Sequence, residues 1–194
     1  MTSSEPTTFV REIFDKTVDV HRRFSENGLS GVIAAAEAIR RAVTGGGKVL
    51  AFGNGGSATD AEHLVSELVG RFEKERRGLA GIALTPDSAV VTAIANDYGY
   101  ERVFARQVEA LGREGDVAFG ISTSGKSPNV LDGLAAAKAR GMTTIALTGR
   151  DGGPMGSQVD FHVNVPEVST ARVQEVHRTV IHAICALVER DLTS

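Results

Sequence analysis

Lys48-Val-Leu-Ala-Phe-Gly-Asn-Gly-Gly-Ser57 joins a short, uninterrupted apolar run to a glycine-rich turn, and helical periodicity resumes at once over residues 57–71. A strand that is apolar on both faces must be covered on both, which is the signature of a parallel sheet between two layers of helices. A tight turn from such a strand into a helix leaves free N–H groups at the strand's carboxyl end, where ligands bind in open α/β sheets. This stretch therefore predicts an α/β fold and says where its site lies.

Working outward, the same alternation continues. Apolar residues 81–84 and 116–121 read as strands, as do 143–147 and 161–165, with helical patterns over 88–111, 128–140 and 170–190 between and after them. The 88–111 pattern breaks at the Asn96-Asp97-Tyr98-Gly99 turn. Upstream, Phe9, Val10, Ile13, Phe14, Val18 and Phe24 recur at three- and four-residue steps. A second amphipathic pattern over 29–43 ends at Gly45-Gly46-Gly47, so residues 5–44 form two N-terminal helices. No repeat or linker divides the chain, and residues 1–194 are expected to be a single domain. The two leading helices and the last one exceed what a small sheet needs for cover, which suggests helix packing between subunits, although a helical cap within one chain would give the same pattern.

The bulk numbers exclude several classes. A net charge of −3 with dispersed Lys and Arg offers no basic track for nucleic acid or an anionic membrane. The lone cysteine, Cys185, cannot make an internal disulfide and sits in an apolar helical stretch, as a buried thiol of a reduced protein would. Residues 1–14 lack the apolar core of a secretory signal, and no window nears the ~18 apolar residues of a membrane span. A cytoplasmic protein is expected, with no nucleic-acid and no membrane partner.

Two glycine motifs mislead. Gly53, Gly55 and Ala58 fit a dinucleotide fingerprint, but Glu73 and Glu75 fall before the second strand and not at its end, where a ribose would be held. Residues 120–127, Gly-Ile-Ser-Thr-Ser-Gly-Lys-Ser, satisfy the Walker A pattern. No strand ends in the aspartate that would hold Mg²⁺, since the strands run out at Asn54, Thr85, Thr148 and Pro166. Instead, Ser122, Thr123, Ser124 and Ser127 crowd a turn just before Pro128, a residue suited to a first helical turn, and make a cup for one phosphate monoester.

Metal-type side chains gather on two helices. His63 and Glu67 are ~40° apart on one helix face, and Asp60 precedes them by a turn. On the last helix, Gln174, Glu175, His177 and His182 form a second polar set, with Gln174 and His182 two turns apart. His182 interrupts the apolar run Val180-Ile181-His182-Ala183-Ile184-Cys185, where an unpartnered ring would cost free energy. His21 and His162 read as structural.

Four motifs in order, Gly53-Asn-Gly-Gly-Ser-Ala-Thr-Asp-Ala-Glu-His63, Asn96-Asp-Tyr-Gly-Tyr100, Ser122-Thr-Ser-Gly-Lys-Ser-Pro-Asn129 and Gln174-Glu-x-His177, closely resemble the phosphoheptose isomerases, a sugar isomerase (SIS) domain family. The resemblance spans nearly the whole chain. It implies a flavodoxin-like three-layer αβα sandwich, a homotetramer, and conversion of sedoheptulose 7-phosphate to D-glycero-D-manno-heptose 7-phosphate on the way to nucleotide-activated heptoses. It assigns one Zn²⁺ per subunit to His63, Glu67, Gln174 and His182. It assigns phosphate to Ser122, Thr123, Ser124 and Ser127, and sugar contacts to Asn54, Gly55, Gly56, Glu67, Asn96, Asp97 and Gln174.

Chemically, an aldose–ketose exchange through an enediol needs a base at carbon and an acid, for which Glu67 and His182 are the candidates, with Asp60 expected to orient His63. Two positions depart from the family pattern: Glu62 stands where Gln is usual, and Ser169 where Asp is common, the latter bearing on sugar hydroxyls. The alternative is a non-catalytic SIS-domain regulator that binds the replication initiator; retention of His63, Glu67, Gln174 and His182 together argues for the enzyme.

Overall fold

The computed structural model describes residues 5–190 and 192; Met1–Ser4, Asp191, Thr193 and Ser194, included in the single-domain expectation, lie outside the described residues. Two helices lead: α1 (Pro6–Asn27), opened by a proline in its first turn, and α2 (Leu29–Thr44). Gly28 separates them because the chain passes the Phe24 ring so closely that a Cβ there would stand 2.4 Å from it.

The alternating part follows as β1 (Val49–Gly53), α3 (Gly56–Val69), β2 (Gly81–Ala83), α4 (Ser88–Tyr98), α5 (Val103–Leu111), β3 (Val117–Ser122), α6 (Pro128–Ala139), β4 (Thr143–Gly149), β5 (Phe161–Val165) and α7 (Thr170–Arg190). The five strands are all parallel in the order β2-β1-β3-β4-β5, a flavodoxin-like winding. Order reverses between β1 and β3, so the crevice for a ligand opens at their carboxyl ends.

Alternation along β1 explains the three layers. Val49 and Ala51 join the apolar cluster under α1, α2, α3 and α7, while Leu50 and Phe52 join the one under α5 and α6, where Phe52 stacks on Phe104 at 5.2 Å. Neither face of the strand meets water.

The outer layer is not closed. On α1 only Val20 and Phe24 are buried, while Phe9, Val10, Phe14 and Val18 stand exposed, joined by Leu29 and Ile33 of α2. Among the described residues no helix is long and apolar enough to cross a membrane.

Candidate active site

The serine loop leaves β3 at the crevice. Ser122 is buried, and its Oγ lies 2.9 Å from Ser127 Oγ and 3.4 Å from Ser124 Oγ, so three hydroxyls converge. Ser127 caps α6, with Pro128 next. The turn closes at Gly125, where φ is +63° and a Cβ would stand 2.0 Å from the Gly152 carbonyl oxygen, so only glycine fits. Converging hydroxyls at a helix N-terminus suit a phosphate.

Beside it, the 53–57 loop leads into α3. The Asn54 amide is taken up by Asn129 and Tyr100. Gly55, at φ +57°, has open space around it, and a Cβ on Gly56 would stand 2.2 Å from Gln174 Nε2. Gln174 thus rests on the start of α3. Asn96 and Asp97 stand exposed at the end of α4, the Asn96 amide donating to the Asp97 carboxylate at 2.8 Å.

The second group lies where α3 runs alongside α7. His63 Nε2 is 2.8 Å from His182 Nε2 and 3.2 Å from Glu67 Oε1, and the three donor atoms all fall within 4.8 Å of one another. Burial, the Arg178 charge and His182 together outweigh Glu67 and push the His63 pKa down, favouring the neutral ring that a metal needs. Tetrahedral zinc with Zn–N near 2.0–2.1 Å would hold donor atoms about 3.3 Å apart, so the trio fits a divalent cation after the imidazoles part by about half an ångström.

Within one chain the four expected ligands divide. Gln174 lies eight residues before His182, ~12 Å of helical rise, and the intervening turn carries Arg178, paired with Asp60 at 2.8 Å. His63 and Glu67 are likewise ~10 and ~16 Å along α3 from Gly56. Gln174 therefore belongs to the glycine-loop level and the trio to a lower one. Asp60 does not orient His63: it is buried against Arg178, its Oδ2 has no partner, and burial raises its pKa against the pull of that guanidinium.

Several residues escaped sequence reasoning. Phe72 packs against the His182 ring in a tilted arrangement, with ring centroids 5.4 Å apart. Glu189, almost fully buried, accepts the backbone N–H groups of Phe72, Glu73 and Lys74 and pairs with Arg76, whose guanidinium also donates to the Glu67 and Leu68 carbonyls. Burial favours the neutral acid, but these donors outweigh it and hold the Glu189 carboxyl below the usual range. The one available signal was an acidic residue at the apolar end of α7.

Comparison with known proteins joins these parts. A SIS-domain family profile matches residues 12–149. A phosphoheptose isomerase of Roseiflexus sp. is 50% identical over 193 residues, covering 98% of each chain, and one of Geobacter sulfurreducens is 54% identical over 168 residues, covering 86% of this chain and 89% of its own. A solved phosphoheptose isomerase from Neisseria gonorrhoeae superposes with a TM-score of 0.91 at 42% identity, over 96% of this chain and all of its own. The fold is the one that this solved isomerase adopts. The chain belongs to the SIS-domain family and, within it, to the phosphoheptose isomerases.

Proposed function

We infer that this chain isomerises sedoheptulose 7-phosphate to D-glycero-D-manno-heptose 7-phosphate in heptose biosynthesis, as a cytoplasmic homotetramer with one Zn²⁺ per subunit. The observation that carries the reading is the convergence of His63, Glu67 and His182 at one point. A regulator that only bound a partner would have no use for an imidazole, His63, held between a second imidazole and a carboxylate.

The serine cup of Ser122, Thr123, Ser124 and Ser127 holds the phosphate. The glycine loop, Asn96, Asp97 and Gln174 face the sugar chain. Glu67 removes the proton from carbon 1 of the ketose, the C–H pair becomes the C1=C2 bond, and the carbonyl oxygen takes a proton from solvent to give the enediol. His182 then delivers a proton to carbon 2 as the hydroxyl at carbon 1 gives its own to solvent and becomes the aldehyde, and solvent exchange resets Glu67 and His182. A Zn²⁺ held by His63, Glu67 and His182, with Gln174 completing the set, would supply Lewis-acid polarisation of the reacting oxygens. Neutral His63 is ready to ligate at neutral pH.

Assembly supplies what one chain separates. The exposed apolar face of Phe9, Val10, Phe14 and Val18 supports helix packing between copies. Because the trio sits ~10–16 Å along α3 from the glycine loop, a substrate site is completed when the trio of one subunit meets the serine cup and Gln174 of another.

Purified protein incubated with sedoheptulose 7-phosphate and followed by NMR is expected to form the aldose, to lose that activity on chelation and to regain it with Zn²⁺. Absence of aldose in metal-loaded protein would sink the reading, and full activity without metal would sink the zinc assignment.

A further inference from the structure

Asn129 opens the first turn of α6, two residues past the serine cup, and is 3% exposed. Its side chain meets Asn54 from the opposite loop in a reciprocal amide pair. Asn54 Nδ2 donates to Asn129 Oδ1 at 2.9 Å, and Asn129 Nδ2 donates to Asn54 Oδ1 at 2.9 Å. The Tyr100 hydroxyl donates to the same Asn54 oxygen at 3.1 Å.

Two parallel hydrogen bonds between planar groups fix both distance and angle, which one bond would not. The pair bridges the place where strand order reverses, with one partner on the loop after β1 and the other just past the loop after β3. Tyr100 brings in the segment after α4. Three separate stretches of chain therefore meet at one half-buried amide junction. With both lone pairs of its oxygen committed and its nitrogen bonded to Asn129, Asn54 acts chiefly as a strut.

We propose that Asn129 is a positioning residue that sets the spacing between the glycine loop and the serine cup, so that the crevice selects a ligand reaching both, a sugar chain ending in phosphate, over phosphate alone. Resting on the phosphate reading of the serine cup, it adds a basis for selectivity: inorganic phosphate needs only the cup, whereas a sugar phosphate needs the two loops in register.

The test compares two probes, inorganic phosphate and sedoheptulose 7-phosphate, by equilibrium binding and steady-state kinetics on the metal-loaded protein. Asn129→Ala is expected to raise KM for the sugar phosphate about tenfold while inorganic phosphate affinity changes less than about twofold. Phosphate binding also reports that the variant is folded. Asn129→Asp, which keeps the side-chain shape but opposes a carboxylate oxygen to Asn54 Oδ1, is expected to shift the ratio of the two affinities in the same direction and carries the test if the alanine variant does not fold. Adding Asn54→Ala to Asn129→Ala is expected to cost less than the sum of the two single losses, because each single change already breaks the pair. Equal losses for both probes would make Asn129 a support of the serine cup only and overturn the proposal, as would no change in either. A wild-type chain that binds neither probe would instead overturn the phosphate reading, and the proposal with it.

Discussion

His177 is a fully buried imidazole with one partner, its Nε2 donating to the Thr148 carbonyl at 2.9 Å while Nδ1 has none. The Thr148 hydroxyl donates to Asn164 Oδ1, so His162 Nε2, 2.7 Å away, must be the donor to that hydroxyl, and the end of β4 is tied to both β5 and α7. Burial pushes the His177 pKa from 6.5 down to about 4, against the pull of its Thr148 bond. The unfolded chain therefore binds a proton that the folded chain refuses, so stability holds above pH 6.5 and falls as pH drops from 6.5 toward about 4. That loss is on the order of 3 kcal/mol. Denaturant titrations across this range should show it, and His177→Gln, which keeps a donor for Thr148 without a titrating ring, should flatten it. An unchanged pH profile in that variant would mean that other groups set the acid limit. The sequence placed His177 in a polar set on α7 but could not bury it, because burial depends on β4, twenty-nine residues away.

At the scale of elements, the strands and most helices were legible because the central strands β1, β3 and β4 are buried on both faces and each helix ends at glycine, a turn or a charged segment. The sequence pattern carried α3 to residue 71, whereas the helix stops at Val69. Gly70 ends it, and the following segment is pulled toward α7 by Glu189 and Arg76. That clamp links residues more than a hundred positions apart, so no local pattern shows it. Its removal should be expensive: Glu189→Ala leaves the buried Arg76 guanidinium without its carboxylate and three backbone N–H groups unpaired, and a loss of about 3–5 kcal/mol in chemical denaturation is expected. A loss under about 1 kcal/mol would show that water or a neighbouring group replaces Glu189. The angular reading of α7 misled in a different way. Gln174 and His182 share a flank, yet the ~12 Å rise between them keeps the amide away from the trio within one chain.

At the scale of the molecule, the fold presents two incomplete halves. The upper half, at the strand ends, has hydroxyls, glycine turns and Gln174; the lower half, between α3 and α7, has His63, Glu67 and His182. One subunit also leaves a row of apolar side chains on α1 uncovered. Assembly resolves both features together if the covered face brings the lower half of one copy to the upper half of another. Subunit mixing tests this most directly. Glu67→Gln alone should lower kcat by at least ~10²-fold, and Ser124→Ala alone should raise KM, so each variant is nearly inactive at low sedoheptulose 7-phosphate. Co-assembled in equal amounts, they are expected to restore about a quarter of the sites, because a cup and a trio drawn at random from two subunits are both intact that often. Activity no higher than the sum of the two separate variants, in assemblies shown to contain both, would contradict the shared site.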